Sequence, residues 1–247
     1  MNKKIISILV LLFFTIHSAI AQNRAATPVE TKVIQKAVNA VVPVIDGFEN
    51  KDWGKTAGGA DEPQYFSVQT KPDVVMGVAP FNEWHFEVRE GSERYNKIEK
   101  PYIDKMAANP PDAGNEKQMK ENANEGARVN KLMNVYVEVM VNEKNLPVKP
   151  LKGGVTDLKI PGTFFTYKQP ENKIIGFQRV GLSSYVLAFG NWRTAKFADA
   201  DYQFHFTHPL ATPYIENIVI IISGADDRVQ EILHKTDWSK INEGLTL

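Results

Sequence analysis

The segment Ile218 to Ile222 constrains the fold more than any other part of the chain, because all its residues are apolar and β-branched. β-Branched side chains favour extended backbone. A strand that is apolar at every position must be covered on both of its faces. The segment therefore predicts a central strand of a sheet, with other structure packed against each side.

Other segments alternate apolar and polar residues, which is typical of strands with one buried face. Trp84, Phe86 and Val88 share one face of such a strand, and Asn134 to Glu143 alternates through four valines. Further strands are expected at Tyr65 to Gln69, Val74 to Val78, Thr156 to Ile160, Thr163 to Tyr167, Lys173 to Val180, Ser184 to Asn191 and Tyr202 to Thr207.

Helical spacing of apolar residues recurs in several places. Thr27, Pro28 and Glu30 match the start of a helix with a capping box, and Pro43 is expected to end that helix. The other helical segments are Ser92 to Met106, Glu116 to Met133, Val229 to Leu233 and a last turn carrying Trp238, Ile241 and Leu245. Ser223 to Asp226 matches a second capping box.

Consecutive short strands interrupted by a helical block indicate an α+β fold with a largely antiparallel sheet packed with a few helices. An N-terminal helix and a C-terminal strand-helix unit complete this expected architecture. No strand is followed by a glycine-rich phosphate loop, so nucleotide-binding folds have no local support. The segment Asn145 to Gly154 is the one candidate linker, and residues 22–247 are otherwise predicted to form a single domain.

The first 21 residues have the three parts of a secretory signal peptide: Lys3 and Lys4, the apolar run Ile5 to Phe14, and the small-residue site Ala19 to Ala21. Cleavage is expected after Ala21. The apolar run is too short for a permanent anchor, since about 20 residues are needed to cross a bilayer. The sequence therefore predicts a soluble periplasmic or secreted protein, exported by the general route, and not an integral membrane protein.

The chain contains no cysteine, so no disulfide can stabilise it in an oxidising compartment. Its stability must come from apolar burial, for which 43% apolar residues suffice. Thiol catalysis and cysteine-ligated metal sites are excluded. Because 29 basic and 29 acidic residues balance and no basic block occurs, the composition argues against a nucleic-acid partner.

Glu83, His85 and Glu87 are the strongest candidate for a metal site, because alternate residues of a strand share one face. Side chains at this spacing stand about 7 Å apart, so one ion cannot bind all three without other ligands. A solvated strand face is the favoured interpretation. His205 and His208 point to opposite faces of a strand, which disfavours a shared metal. No metal, cofactor or catalytic residue is therefore predicted, although His85 and His205 are free to meet across strands.

Serine nucleophiles have little support in the sequence. Ser183 and Ser184 lack the glycine spacing of a nucleophile elbow, since Tyr185 stands where the second glycine is needed. Ser223 follows a buried strand and precedes a helix, which is the right place for an elbow. The acidic residues after it favour a helix cap instead.

Aromatic residues are frequent near the C-terminal strands. Exposed aromatic rings bind sugars or anchor peptides, whereas buried rings only fill the core. The core interpretation is preferred for this group, which comprises Tyr185, Phe189, Trp192, Tyr202, Phe204 and Tyr214.

The sequence favours a non-catalytic binding or interaction module with an unknown extracytoplasmic ligand or protein partner. The alternative is a hydrolase or metal-assisted enzyme that combines His85, His205 and Glu83 from separate strands. Two similar segments, Lys51 to Lys55 and Thr236 to Lys240, each contain an Asp-Trp pair. Their surroundings differ, which argues against a duplication, and Trp238 is expected to be buried.

Overall fold

The computed structural model describes residues 22–71, 74–78, 80–146, 156–169, 182–192, 202–208 and 213–246. These residues form an α+β fold, as predicted, in which helices pack against a six-stranded antiparallel sheet. The signal peptide, the strand expected at Lys173 to Val180 and most of the candidate linker lie outside the described residues. Within them, no helix combines the length and the apolar character that a membrane crossing needs.

The strands and helices are numbered in chain order. The strands are β1 (Gln22–Ala25), β2 (Trp53–Ala60), β3 (Ser67–Lys71), β4 (Val74–Val78), β5 (Phe81–Val88), β6 (Asn134–Val141), β7 (Asn145–Leu146), β8 (Phe165–Gln169), β9 (Ser183–Gly190), β10 (Tyr202–Gln203) and β11 (Asn217–Gly224). The α-helices are α1 (Pro28–Asp46), α2 (Glu93–Ala108), α3 (Glu116–Met133) and α4 (Asp226–Lys235), and 3-10 helices span Pro63–Tyr65 and Trp238–Gly244.

The strand order of the main sheet is β2-β5-β6-β11-β9-β8, and every neighbouring pair is antiparallel. The apolar segment Ile218 to Ile222 thus lies in a central strand, as its composition predicts. Strands β1, β3 and β4 form a smaller sheet, and β7 pairs with β10.

Residues of β11 alternate between two cores. Ile218, Ile220 and Ile222 point into a large core beneath α1, α4 and the second 3-10 helix, whereas Val219 points into a smaller core on the opposite face. The smaller core also contains Leu146, Tyr167, Val186, Ala188, Trp192 and Phe204. Both faces of β11 are therefore covered, which explains why an unbroken apolar run is required there.

Helix α1 begins at the predicted capping box, since Thr27 accepts a hydrogen bond from the Glu30 amide and Glu30 accepts one from the Thr27 amide. The prediction that Pro43 ends this helix is wrong. The helix continues to Asp46, and Val44 and Ile45 are buried in the large core. The free energy gained by burying this last turn offsets the cost of the backbone hydrogen bond that proline cannot donate.

Glu30 couples the stability of this helix start to pH. Its carboxylate accepts hydrogen bonds from Arg24 at 2.6 and 2.8 Å, which lower the Glu30 pKa from 4.5 to about 2. An ionised group whose pKa is lowered by folding stabilises the protein fully at a pH above the pKa of the unfolded state. This stabilisation is lost as the pH falls through the pKa of the folded state. Because Arg24 is half exposed, solvent screens part of the effect.

The variant Glu30→Gln is therefore expected to be about 1–2 kcal/mol less stable than the wild type at pH 7. The difference should shrink as the pH falls from 4.5 through about 2, because the Glu30 carboxyl group becomes protonated over this range and then carries no charge, like glutamine. Urea unfolding at several pH values measures it, with the exposed Glu121→Gln as control. A difference between Glu30→Gln and wild type that is independent of pH would contradict the assignment.

Helices α2 and α3 form a hairpin inserted between β5 and β6, which are neighbours in the sheet. The predicted bounds of α3 agree with the structure. Only Val129 and Met133 of this hairpin are fully buried, so the hairpin packs on the sheet near its base. Gly126 permits close packing, because a Cβ atom there would lie 2.7 Å from the Tyr102 hydroxyl.

Two predicted strands are wrong in whole or in part. Residues 156–160 form no strand, because the Asp157 carboxylate binds the amides of Lys159 and Thr166 and holds a turn. The strand expected at Tyr202 to Thr207 ends at Gln203. Beyond it, the buried Glu216 carboxylate accepts hydrogen bonds from the amides of Thr207 and His208, which takes these donors away from strand pairing.

Candidate functional site

A cleft of about 840 Å³ opens between the loop before β2, the first turns of α2 and the start of α4. We call it the Trp53 cleft. Its lining combines charged side chains of both signs with a small apolar floor: Asn50, Lys51, Asp52, Trp53, Glu93, Arg94, Lys97, Ile98, Leu132, Asp226, Asp227, Arg228 and Glu231. The first Asp-Trp segment therefore forms one wall of this cleft.

Trp53 lies at the base of the cleft and is only 3% exposed. The guanidinium groups of Arg94 and Arg228 lie 5.2 and 5.9 Å from the centre of its ring. Both distances fall within the range of attractive cation–π contacts. The indole is therefore held by two cations from two different helices and is not a free stacking surface.

Arg94 joins three helices. Its Nε and Nη2 atoms donate to the Leu132 carbonyl at 3.1 and 2.8 Å, and its Nη1 and Nη2 atoms donate to the Asp227 carboxylate at 2.5 and 3.0 Å. The bond from Arg94 lowers the Asp227 pKa, with burial opposing it. All three guanidinium nitrogens are thus engaged within the protein.

Arg228 is 7% exposed and fixes the other side of the cleft. Its Nη1 atom donates to Glu231 at 2.6 Å, and its Nη2 atom donates to the backbone carbonyl of Phe48. Glu231 also accepts a hydrogen bond from Lys235, and together Lys235 and Arg228 hold the Glu231 pKa below its usual range despite burial. The base of the cleft is consequently rigid and internally neutralised.

The rim of the cleft carries charges that remain available. Lys51, Asp52, Glu93 and Lys97 form no side-chain ion pair with any residue that the structure describes. Lys51 and Asp52 come from one wall, and Glu93 and Lys97 come from the first turns of α2. Each wall thus offers one free cation and one free anion.

Asp226 belongs to a polar network beside the cleft. Its Oδ1 atom accepts hydrogen bonds from Tyr185 at 2.6 Å and from Lys168 at 2.7 Å, and Gln230 donates to the Tyr185 hydroxyl. Burial alone would raise the Asp226 pKa, but the hydrogen bonds from Lys168 and Tyr185 outweigh this effect, so the Asp226 pKa lies below its usual range. The acidic side chains of Asp226, Asp227 and Glu231 are therefore held ionised.

His85 lies on β5, away from this cleft. Its Nε2 atom is 2.7 Å from the Asn134 side-chain oxygen, its Nδ1 atom is 3.1 Å from the Thr56 hydroxyl, and its ring stacks on Tyr136. Glu87 approaches Nε2 at 3.5 Å. In the described ranges, no group of three histidine or acidic side chains is placed to hold a metal ion.

His205 and His208 lie in the segment after β10. His205 is exposed, while His208 stacks on Tyr214 and places its Nδ1 atom 2.9 Å from Glu216, outside hydrogen-bond alignment. Phe204 anchors this segment in the smaller core over β9 and β11, whereas the partners of His85 come from β2 and β6. The described contacts therefore do not join His85 with His205.

The serine candidates are packed inside the sheet. Ser184 and Ser223 are register partners on β9 and β11, and their buried hydroxyl groups lie 2.8 Å apart. The predicted cap at Ser223 is wrong, because the strand extends through Gly224 and Ala225 precedes α4 without a side-chain cap. Gly224 has φ of 148°, and a Cβ atom there would lie 2.2 Å from the Asn134 carbonyl oxygen.

The aromatic residues near the C-terminal strands fill the core, as the preferred interpretation predicts. The described members Tyr185, Phe189, Trp192, Phe204 and Tyr214 are each at most 5% exposed. Trp192 donates to the Phe189 carbonyl and meets Phe204 edge to face at 5.0 Å. None of these rings provides an exposed platform for a sugar or a peptide.

The sequence signals single out neither Arg94 nor Arg228, which fix the base of the cleft. Both arginines occur in amphipathic helices, where arginine is normally a solvated residue. The Asp-Trp pair at Asp52 and Trp53 lies in this region, but its sequence alone indicates no binding role. A tryptophan held by distant arginines cannot be recognised from spacing along the chain.

No protein-family model matches the sequence, and no curated protein or solved structure matches it either. The assignment of a site therefore rests on the geometry of this chain.

Proposed function

We propose that this chain is an exported, non-catalytic binding protein and that its ligand occupies the Trp53 cleft. The observation that carries the proposal is a rigid base combined with free charges at the rim. All three guanidinium nitrogens of Arg94 and both terminal nitrogens of Arg228 donate to internal acceptors, whereas Lys51 and Lys97 form no ion pair with a described residue. A preorganised base with available polar groups above it reduces the entropic cost of binding.

The chemistry of the lining supports binding over catalysis. Among the described residues that line the cleft there is no histidine, serine, threonine or tyrosine. Asp226, Asp227 and Glu231 have lowered pKa values, whereas a carboxyl group that serves as a general acid needs a raised one. Because their partners within the protein keep them ionised, these carboxyl groups are unsuited to donate protons near neutral pH.

The N-terminal sequence supports export. Lys3 and Lys4, the apolar run and Ala19 to Ala21 have the order that signal peptidase substrates share. If the protein is exported, its ligand must be present outside the cytoplasm. Cleavage after Ala21 is tested by sequencing the N-terminus of protein recovered from an extracytoplasmic fraction. A protein in that fraction that still begins at Met1 would contradict cleavage.

Removing a rim charge should weaken binding without affecting the fold. We expect Lys97→Ala to lower ligand affinity by about two- to fivefold at low ionic strength, because an exposed ion pair contributes up to about 1 kcal/mol. The measurement is a titration of isotopically labelled protein with mixed-charge peptides, oligosaccharides and nucleotides, followed by amide chemical shifts of residues 51–53 and 93–97.

Lys117→Ala is the matched control, since this lysine side chain is 87% exposed on α3 and does not line the cleft. It should bind as the wild type does. If no probe shifts the cleft amides, or if every bound probe is insensitive to Lys97→Ala, the cleft is not the binding site.

A further inference from the structure

Gln22 becomes the first residue of the chain when the signal peptide is cleaved after Ala21. It is also the first residue of β1, which spans Gln22–Ala25 and pairs with β3 in antiparallel orientation. The N-terminus of the mature chain is therefore part of a sheet. This position matters chemically, because an N-terminal glutamine can react with its own side chain.

The product of that reaction is pyroglutamate. The α-amino nitrogen, in its neutral form, attacks the side-chain carbonyl carbon Cδ. The bond between this nitrogen and Cδ forms, the bond between Cδ and Nε2 breaks, and Nε2 leaves as ammonia with a hydrogen from the amine. Because both groups belong to one residue, the reaction is intramolecular and requires no oxidant, reductant or second substrate.

The register of β1 places the Gln22 nitrogen opposite a backbone acceptor. The Ala26 amide donates to the Phe66 carbonyl at 3.0 Å. Hydrogen-bonded pairs recur at every second residue of an antiparallel ladder. The register continues from this bond without a shift to Gln22 opposite Thr70, so the Gln22 nitrogen donates to the Thr70 carbonyl.

Ring closure is incompatible with this hydrogen bond. In the lactam, Cδ takes the place of the hydrogen that faces the partner strand, just as the ring of proline replaces an amide hydrogen. A free ammonium group keeps the donor and preserves the pair. Gln22 can therefore cyclise only while its end of β1 is detached from β3.

We propose that Gln22 is a site of pyroglutamate formation and that docking of β1 on β3 slows the reaction. This proposal rests on the export and cleavage in the proposed function and extends them to a modification of the mature chain. Because a reaction of a minor state is slowed in proportion to its population, the fraction of time that β1 is detached sets the rate.

Arg24 holds β1 on the body of the protein. Its guanidinium group donates to the two carboxylate oxygens of Glu30 at 2.6 and 2.8 Å, and Glu30 also accepts a hydrogen bond from the Thr27 amide at the start of α1. The Glu30 side chain is only 6% exposed, so the pair fixes Arg24 to a rigid helix end. Removing the Arg24 side chain should therefore detach β1 more often without removing a core residue.

The test follows the mass of the mature chain, recovered from an extracytoplasmic fraction and incubated at neutral pH, beside a peptide of residues 22–25. Each cyclisation lowers the mass by that of one ammonia molecule. We expect the folded chain to cyclise at least about tenfold more slowly than the peptide. Arg24→Ala should raise the rate of the chain about three- to fivefold, as expected for the loss of a half-exposed ion pair.

Three matched variants accompany this comparison. Arg128→Ala removes an exposed arginine from α3 and should cyclise as the wild type does. Arg24→Lys keeps a cation for Glu30 and should fall between Arg24→Ala and the wild type. Gln22→Asn should form no lactam, because its shorter side chain would have to close a strained four-membered ring, so a mass loss in this variant marks a reaction elsewhere. Urea unfolding checks that each variant stays folded during the incubation.

A mature chain that is recovered fully cyclised, or that cyclises as fast as the peptide, would overturn the inference. Equal rates in Arg24→Ala and the wild type would also overturn it. The proposed export would stand in these cases, because the chain would still begin at residue 22. A chain that begins at any other residue would instead contradict cleavage after Ala21, whereas binding in the Trp53 cleft is tested separately by Lys97→Ala.

Discussion

Replacing Trp238 by alanine is expected to lower the free energy of unfolding by about 3–5 kcal/mol, the usual cost of truncating a buried aromatic residue. Trp238 is 1% exposed and packs against Phe48 and Phe189, with ring centres 5.8 and 6.1 Å away. Its indole nitrogen donates to the Leu233 carbonyl at 3.0 Å. The variant would leave a cavity and an unsatisfied carbonyl group between α4 and the sheet.

Chemical denaturation followed by circular dichroism measures this loss. Trp238→Phe should fall between the wild type and Trp238→Ala, because phenylalanine fills most of the volume but cannot donate the hydrogen bond. Tyr65→Ala is the control, since Tyr65 is 68% exposed and its removal should change stability by less than about 0.5 kcal/mol. If Trp238→Ala unfolds at the wild-type denaturant concentration, Trp238 is not a core residue.

The central architecture was predictable because local patterns and tertiary burial agree there. The apolar run in β11 is covered on both faces, and the four valines of β6 share its buried face, whereas the residues between them are half exposed. The α1 capping box and the bounds of α3 are determined by residues within a few positions of each helix end. In each case one short segment contains the physical information that decides the structure.

The errors arose where a distant side chain decides the backbone. Pro43 remains within α1 because the turn after it is buried, and Glu216 ends the β10 strand early by binding amides from another segment. Ser223 pairs with Ser184 across the sheet and therefore does not cap α4. These partners are identified only after the strands have been placed side by side.

The candidate site could be predicted even less completely. Arg94 and Asp227 form one of its central ion pairs but are 133 positions apart in sequence. The similarity of the Asp-Trp segments around Trp53 and Trp238 does not identify a site, because both tryptophans are core residues and neither indole ring is exposed for recognition.

Arg228 allows the rigidity of the cleft to be tested directly. Arg228→Met is expected to lower the free energy of unfolding by about 2–3 kcal/mol, because the Phe48 carbonyl would lose a charged donor in a buried place. Methionine retains the apolar stem against Trp53, so the loss reports mainly on the guanidinium group. Glu231 keeps its bond from Lys235, which limits the cost of leaving it without the arginine.

Arg128→Met is the matched control, because Arg128 is exposed on α3 and its replacement should change stability by less than about 0.5 kcal/mol. Since Arg228 lines the Trp53 cleft, its removal should also weaken the binding of the probes used to test Lys97→Ala. If Arg228→Met is as stable as the wild type and binds these probes equally well, the base of the cleft is not held by this arginine. The rim charges alone would then account for binding.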